Sequence, residues 1–256
     1  MWLVRIVTLA LAAAVLPTAA QAPRSAPRVD ADVPFSVGEV LTYDVTFSSV
    51  LPVGTATSTV RGRLASDTSS AYDIAVEGRP LPAFASLYNV LYRMDTQLDT
   101  VTLLPHRMTV YSEENNEKRL GVTTFDRARF KAAFESTNPP VARELDIPPQ
   151  AQDGLSAVYL VRTMTVRPGD NFSLSVVDGG LLYTVGVSIG QPEKISVPLG
   201  EIEALPAKVT ITGKDAAPAL TNAAAWISTD RRRLPVKLQT DLAVGSFVLL
   251  LRQVMP

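Results

Sequence analysis

The chain is 256 residues long, with a formal net charge of -1, no cysteine and one histidine, His106. A chain of this length can bury a full-sized core. The missing thiols exclude disulfide frameworks, thiolate metal sites and cysteine nucleophiles, one imidazole excludes sites that need two or three, and the near-neutral balance gives no support for binding a phosphate backbone.

Residues 1–20 read MWLVRIVTLALAAAVLPTAA. Arg5 supplies a small positive head, Ile6 to Leu16 an apolar run broken by Thr8, and Thr18, Ala19 and Ala20 are small after Pro17. This is the layout of a cleaved signal peptide rather than a membrane anchor, because the run falls short of the ~20 apolar residues a bilayer needs. No cysteine follows it, so a lipid-modified N-terminus is not expected. Residues 21–34 (QAPRSAPRVDADVP) carry too little apolar surface to fold and read as a Pro-rich disordered tether. A single β domain is expected over 35–254.

From Leu41 the dominant period is two. Leu41, Tyr43, Val45 and Phe47 alternate with polar neighbours, a weaker Thr- and Ser-rich strand follows over 55–63, and Tyr72, Ile74 and Val76 alternate with Asp73, Ala75 and Glu77. Such alternation predicts half-buried antiparallel strands, here a three-stranded meander. Residues 79–91 fit either a short helix from Ala83 or a loop. Strands are predicted again over 92–98, 103–111, 119–125 and 130–134, with 113–118 (EENNEK) as a hairpin tip. Two proline pairs predict an extended crossing loop over 135–153. Asp153 then caps a helix in which Leu155, Val158, Tyr159 and Arg162 recur at helical spacing, ending before Pro168. Asp178-Gly179-Gly180 is a hairpin turn, and shorter strands lead to a closing apolar strand over 246–254. About twelve strands are too many for one small flat sheet. The fold class is therefore mainly β: one strongly curved antiparallel sheet, a half-barrel or open barrel-like form, with a short helix packed against it.

Several segments, in their order and spacing, resemble the DUF3108 family of exported bacterial proteins of unknown function over about residues 35–251. These are Phe35-x-x-Gly38-Glu39-x-Leu41-x-Tyr43, Pro52-x-Gly54-x-Ala56, Asp153-x-Leu155-Ser156-Ala157-x-Tyr159 with Arg162, Pro168-Gly169-Asp170, and Trp226-Ile227-Ser228-x-Asp230-x-x-Arg233-x-Pro235-Val236. The resemblance implies no activity. The implied sheet is similar to that of periplasmic lipoprotein-carrier proteins, whose curved sheet holds acyl chains, although fold-level analogy constrains function weakly.

Aromatic residues Tyr43, Phe47, Tyr72, Tyr88, Tyr92, Phe172, Tyr183 and Trp226 mark inward faces. From these and the helix, Tyr43, Tyr92, Tyr159, Arg162, Tyr183 and Trp226 are the candidate lining of a ligand groove. Arg231, Arg232 and Arg233 form the one basic cluster and are candidates for a rim that meets an anionic headgroup. His106 has no nucleophile or orienting partner assignable from spacing. Asp153, Ser156, Tyr159 and Arg162 share one side of the helix, either as a polar cluster in a cleft or as cap, packing and ion pair. Glu39, Asp44, Asp73 and Glu77 could supply paired carboxylates for glycan cleavage, but their alternation with core residues predicts a solvent-facing edge. Glycine-rich phosphate loops and dinucleotide fingerprints are absent.

The expectation is a non-catalytic binding or scaffolding protein of the periplasm. Its ligand would be apolar or amphipathic (a lipid, lipoprotein or glycolipid), taken up by desolvation on the concave face. The alternatives are a carboxylate-dependent hydrolase of envelope polysaccharide, a purely structural protein-interaction domain and an outer-membrane barrel. The helix, the crossing loop and a C-terminus without an aromatic strand end speak against the barrel. No cofactor, metal, nucleic-acid partner or membrane span in the mature protein is expected.

Overall fold

The period-two stretches form strands, and the strands join a single antiparallel sheet. The computed structural model describes residues 29–48, 50–65, 69–85, 90–114, 117–213, 218–242 and 245–256. The expected signal peptide, the first part of the expected tether and Tyr88 lie outside them.

In the first half of the chain the strands are β1 (Val40–Phe47), β2 (Leu51–Ala65), β3 (Ser70–Pro80), β4 (Val90–Asp99), β5 (Pro105–Glu114), β6 (Glu117–Asp126), β7 (Lys131–Thr137) and β8 (Pro140–Asp146). The second half adds β9 (Asn171–Asp178), β10 (Leu181–Ile189), β11 (Glu193–Val197), β12 (Gly200–Thr212), β13 (Pro218–Ser228), β14 (Pro235–Leu242) and β15 (Gly245–Met255). Two helices complete the described residues, the single turn α1 (Pro82–Ala85) and α2 (Gly154–Thr163). The sheet runs β8-β7-β6-β5-β4-β3-β2-β1-β15-β14-β13-β12-β10-β9, with β11 on β12. First and last strands thus pair in its middle, where Tyr43 sits opposite Ala56 on one side and Leu251 on the other.

The sheet is not closed into a barrel; it rolls like a scroll. Successive side chains of a strand point to opposite faces, so Val176 and Val177 of β9 face opposite ways. Val176 faces the interior, while Val177, with Leu182 opposite it on β10, packs on Phe125, Ala132, Ile147 and Ala151. Phe125 and Ala132 are cross-strand partners on the concave face of β6 and β7. The back of β9–β10 therefore lies on the front of β6–β7, and the overlap buries apolar side chains where a closed barrel would form a ladder. The backbone joins across this seam at Gln152, whose N–H donates to Ser175 O and whose carbonyl accepts from Val177 N–H, both at 2.8 Å.

Three expectations need correction. Residues 131–146 are a hairpin, not a crossing loop: Pro139 sits in its turn, and Pro140 opens an edge strand, where a missing N–H costs no ladder bond. The strand count is fifteen among the described residues. Residues 29–34, expected within the disordered tether, lie on the domain: Ala31 N–H donates to Thr100 O at 2.8 Å, Asp30 pairs with Arg63, and Val33 packs on the core around Phe35.

The Asp178-Gly179-Gly180 turn shows how sequence closes the seam. Gly179 and Gly180 have φ of +55° and +72°, as a two-residue hairpin loop requires, and a Cβ on Gly180 would stand 2.8 Å from the Phe134 ring of β7. Gly169 also has a positive φ, +90°, but a Cβ there meets nothing within 4 Å. Gly169→Ala should therefore lose about 1 kcal/mol to backbone strain alone, and Gly180→Ala about 2 kcal/mol or more because it also pries the overlap apart. Urea midpoints of the two variants check the order.

Candidate functional site

Helix α2 lies inside the roll, and polar contacts fix both of its ends. Asp153 is its N-cap: the carboxylate Oδ1 accepts from Leu155 N–H at 2.9 Å and Ser156 N–H at 2.8 Å, while Oδ2 accepts the Thr96 hydroxyl of β4 at 2.5 Å. The Ser156 hydroxyl accepts from the Asp153 N–H, completing a capping box. At the other end Arg162 donates to both carboxylate oxygens of Glu39, at 2.6 and 2.9 Å, with the Arg162 side chain 1% and Glu39 8% exposed. The Arg162 guanidinium also lies over the Phe35 and Tyr159 rings, 5.3 and 5.1 Å from their centroids. Arg233 donates to the carbonyls of Arg162 and Thr163, supplying partners that a helix C-terminus lacks.

One side of α2 is sealed. Leu155 and Tyr159 pack with Phe35, Val60, Tyr72, Ile74 and Leu98. The Tyr159 hydroxyl pairs with Ser58 Oγ at 2.9 Å, and the Tyr43 hydroxyl donates to Pro235 O at 2.9 Å. Burial pushes both phenols above their usual range.

The other side faces space. A cavity of about 250 Å³ is walled by Gly154, Ala157, Val158 and Val161 of the helix and, on the sheet, by valines with Ala207, Ala225 and Ile227. A second of about 140 Å³ adjoins it, bounded by Tyr43, Ala56, Met94, Tyr159 and Leu249. Gly154, Val158, Pro235 and Leu238 border both. The larger space exists because small residues face small residues. Ala207 and Ala225 are direct partners in the β12–β13 ladder, and the helix presents Gly154 and Ala157 toward them. Together the cavities reach the lower end of the roughly 300–1,000 Å³ usual for small-molecule sites. Clefts of about 510 and 520 Å³ flank residues 30–37, but these are surface hollows carrying Asp30, Asp32, Arg63 and Arg232.

The predicted groove residues are only partly brought together. Tyr43 and Tyr159 border the smaller cavity and Arg162 the larger. Tyr183 shares the concave face, opposite Val176. Tyr92 lies apart, in a cleft with Ser112, Arg119, Phe134 and Asp178. Trp226 is on the convex face, out of step with Ala225 and Ile227. There its Nε1 donates to Glu193 at 2.5 Å, and Lys237 Nζ sits 4.0 Å from its ring centroid. Arg231 and Arg232 are exposed, with Arg232 paired to Asp230 at 3.0 Å, while Arg233 is taken up by the helix end. The four early acids each meet an arginine: Glu39 with Arg162, Asp44 with Arg252, Asp73 with Arg61 and Glu77 with Arg79. Glu39 is buried rather than on a solvent-facing edge, and its step with Leu41 and Tyr43 was the signal for that. His106 Nε2 lies 3.1 Å from Asp99 Oδ2, while Asp99 Oδ1 accepts from the Val101 and Thr102 N–H groups, so the pair clamps a turn.

An open antiparallel sheet rolled around one capped helix defines a class of β-barrel-like proteins. Within it the chain belongs to the DUF3108 family, whose description is a protein of unknown function; the family model matches residues 42–252. A search of curated proteins returned no match. Among solved structures the chain is similar to a β-barrel-like protein of the domain of unknown function DUF1849 from Brucella abortus. The TM-score is 0.55 at 11% identity, over 85% of this chain and 97% of that one, a likeness of fold. A protein with a YmcC-like fold from Bacteroides fragilis, provisionally described as exported, gives a TM-score of 0.37 at 12% identity, over 89% and 100% of the two chains. One from Parabacteroides distasonis, provisionally described as a lipoprotein, gives 0.38 at 8% identity over the same shares. Neither of these last two is close enough to carry an argument. Among the described residues no helix is long and apolar enough to cross a membrane, and no cluster of three or more acidic or histidine ligands gathers.

Removing one partner of a buried ion pair leaves the other charge uncompensated. Glu39→Gln should therefore lower unfolding free energy by about 3 kcal/mol, read as a fall in the urea midpoint. Asp153 gives a pH test. Burial holds its carboxyl above the ordinary 3.8, and the N–H groups of Ser156 and Leu155 and the Thr96 hydroxyl offset this only in part. Just above 3.8 the native chain keeps a proton that the unfolded chain has lost, so this group's contribution to stability falls as pH rises through that interval. Asp153→Asn keeps the cap acceptor and removes the fall, so its stability relative to the parent should improve as pH rises. Asp153→Ala loses the cap and about 1 kcal/mol or more at every pH.

Proposed function

We propose that the protein binds an apolar or amphipathic molecule, of the lipid, lipoprotein or glycolipid kind, without catalysis, in the adjoining cavities between α2 and the concave face. The observation that carries this reading is the wall itself. Valine, alanine, leucine and isoleucine side chains make most of the wall, joined at the smaller volume by Met94, Tyr43, Thr57, Ser58 and Tyr159, and Arg162, the one charged residue bordering them among the described residues, is neutralised by Glu39. Apolar surface of this shape favours a ligand that gains by leaving water. The layout of residues 1–20 supports export to the periplasm, where an envelope lipid would be met.

Two features count against the alternatives. The carboxylates that glycan cleavage would use are each held by an arginine. The convex face carries charge, including Arg61 between Asp73 and Asp95 and Lys237 over Trp226, the reverse of the lipid-facing surface of a membrane barrel.

Gly154 supplies the test. It borders both cavities at the first position of α2, and a Cβ built on it meets nothing within 4 Å. Gly154→Leu should fill the space while reducing the freedom of the unfolded chain. The uncharged probe N-phenyl-1-naphthylamine should fluoresce on binding the parent protein and bind the variant at least tenfold more weakly, with the thermal midpoint equal or higher. Absence of binding by the parent, or equal binding by a folded Gly154→Leu, would refute the proposal.

A further inference from the structure

A polar cleft lies beside the apolar cavities on the same face of the sheet. The cross-strand row Met94–Val110–Gly121–Ser136 runs from β4 to β7. Met94 borders the smaller cavity, while Val110, Gly121 and Ser136 border a cleft of about 250 Å³. Adjacent strands stand roughly 5 Å apart, so one strand step leads from one space to the other. The next row on this face is Tyr92–Ser112–Arg119, and it too borders the cleft. The overlap of the roll brings in Asp178 of the β9–β10 turn, and the β7–β8 turn adds Asn138.

These groups define what the cleft can hold. No cation among the described residues pairs with Asp178. Its carboxyl, partly withdrawn from water by the cleft walls, is held above the ordinary 3.8, and the Gly179 N–H offsets this only in part. A ligand donor would restore the hydrogen bonds that the walls withhold. Burial and then the Asp178 charge raise the Tyr92 phenol, so the two side chains are near neighbours. Tyr92 nevertheless stays 42% exposed and offers ring surface to a ligand. Arg119 is paired with Glu117 at 3.2 Å, and Ser136 Oγ donates to Pro139 O at 2.7 Å and can still accept. A phosphate would meet the unpaired Asp178 as a like charge. An ammonium would suit Asp178 but could only donate, whereas the hydroxyls of a sugar both donate and accept. They match a carboxylate, serine hydroxyls and an amide together, and the apolar C–H face of the sugar matches the Tyr92 ring.

We infer that the ligand is a glycolipid whose sugar stacks on Tyr92 and donates to the Asp178 carboxylate, while its hydrocarbon passes Val110 and Met94 into the cavities. The inference rests on the proposed ligand-binding role and chooses among the ligand kinds named there.

The test uses octyl β-D-glucoside, 1-octanol, octylammonium and octyl phosphate with the whole protein, each displacing N-phenyl-1-naphthylamine below its micelle concentration. In the parent the glucoside should bind at least tenfold more tightly than octanol, the worth of one or two added hydrogen bonds. Tyr92→Ala and Asp178→Ala should each lower the ratio of glucoside to octanol affinity about tenfold, with octanol itself binding as before. Independently of any variant, the protons of a ¹³C-labelled glucosyl group should show nuclear Overhauser contacts to the Tyr92 ring of the parent. Glucoside binding no tighter than octanol, unchanged ratios in the folded variants, absence of those contacts from bound glucoside, or tighter binding of octylammonium or octyl phosphate would overturn the inference while leaving the binding role intact. Failure of all four compounds to displace the probe would count against the binding role itself.

Discussion

The contact on which the architecture turns is the buried pair between Arg162 and Glu39. Glu39 directly precedes β1, in the middle of the sheet, and Arg162 closes α2, so two charges taken from water bind the helix to the sheet's centre. Desolvating both ions is expensive, and the arrangement is sustained because the contact is bidentate, two aromatic rings flank the guanidinium, and main-chain carbonyls take further hydrogens. A well-packed apolar pair would hold as firmly, but it would not fix the rotation of the helix so narrowly. With Arg162 and Asp153 both anchored, Leu155 and Tyr159 must face β1–β4, and Gly154, Ala157 and Val161 must face β9–β14. The empty side of the helix is thus a consequence of how its two ends are held.

The overlapping seam complements that anchor. A closed barrel of this many strands would satisfy its edges by ladder bonds around a wide lumen. Here the roll slides one margin inside the other and replaces a ladder with the apolar contact of Val177 and Leu182 on Phe125 and Ala132. The diameter is then set by side-chain packing at the overlap and by the helix within, which leaves an interior narrow enough for apolar walls to face each other. The outer margin, β8, ends the sheet with Arg143, Glu144 and Asp146, and charge on an exposed edge discourages pairing with other chains.

Much of this was written in the sequence at the level of elements. Alternation marked the strands, and Asp153 with Ser156 three residues on marked the helix start. What local pattern could not supply is what faces what. Pro139 and Pro140 read as loop because proline suits both a loop and the opening of an edge strand. Trp226 read as inward because AAAWI is apolar on both faces of β13, leaving no polar neighbour to reveal the step. The cavities were invisible for a different reason: they depend on Ala207 meeting Ala225 across a ladder and on the helix turning Gly154 toward them, pairings that depend on register between distant segments. Glu39 differs: its phase with Leu41 and Tyr43 points inward, although its charge places it with Asp44, Asp73 and Glu77 in the expected solvent-facing edge.

Pairing the first strand with the last has a consequence for how the molecule forms. Tyr43 meets Leu251, so the sheet's central ladder waits for the final residues of the chain. The meander from β1 to β8 can assemble from neighbouring segments as they appear, but α2 and the strands after it must be gathered before the middle is sealed. Contacts between such remote positions make folding slow relative to a chain built from local ones. Until β15 is made, β1 and β14 each lack the neighbour that joins the two halves of the sheet.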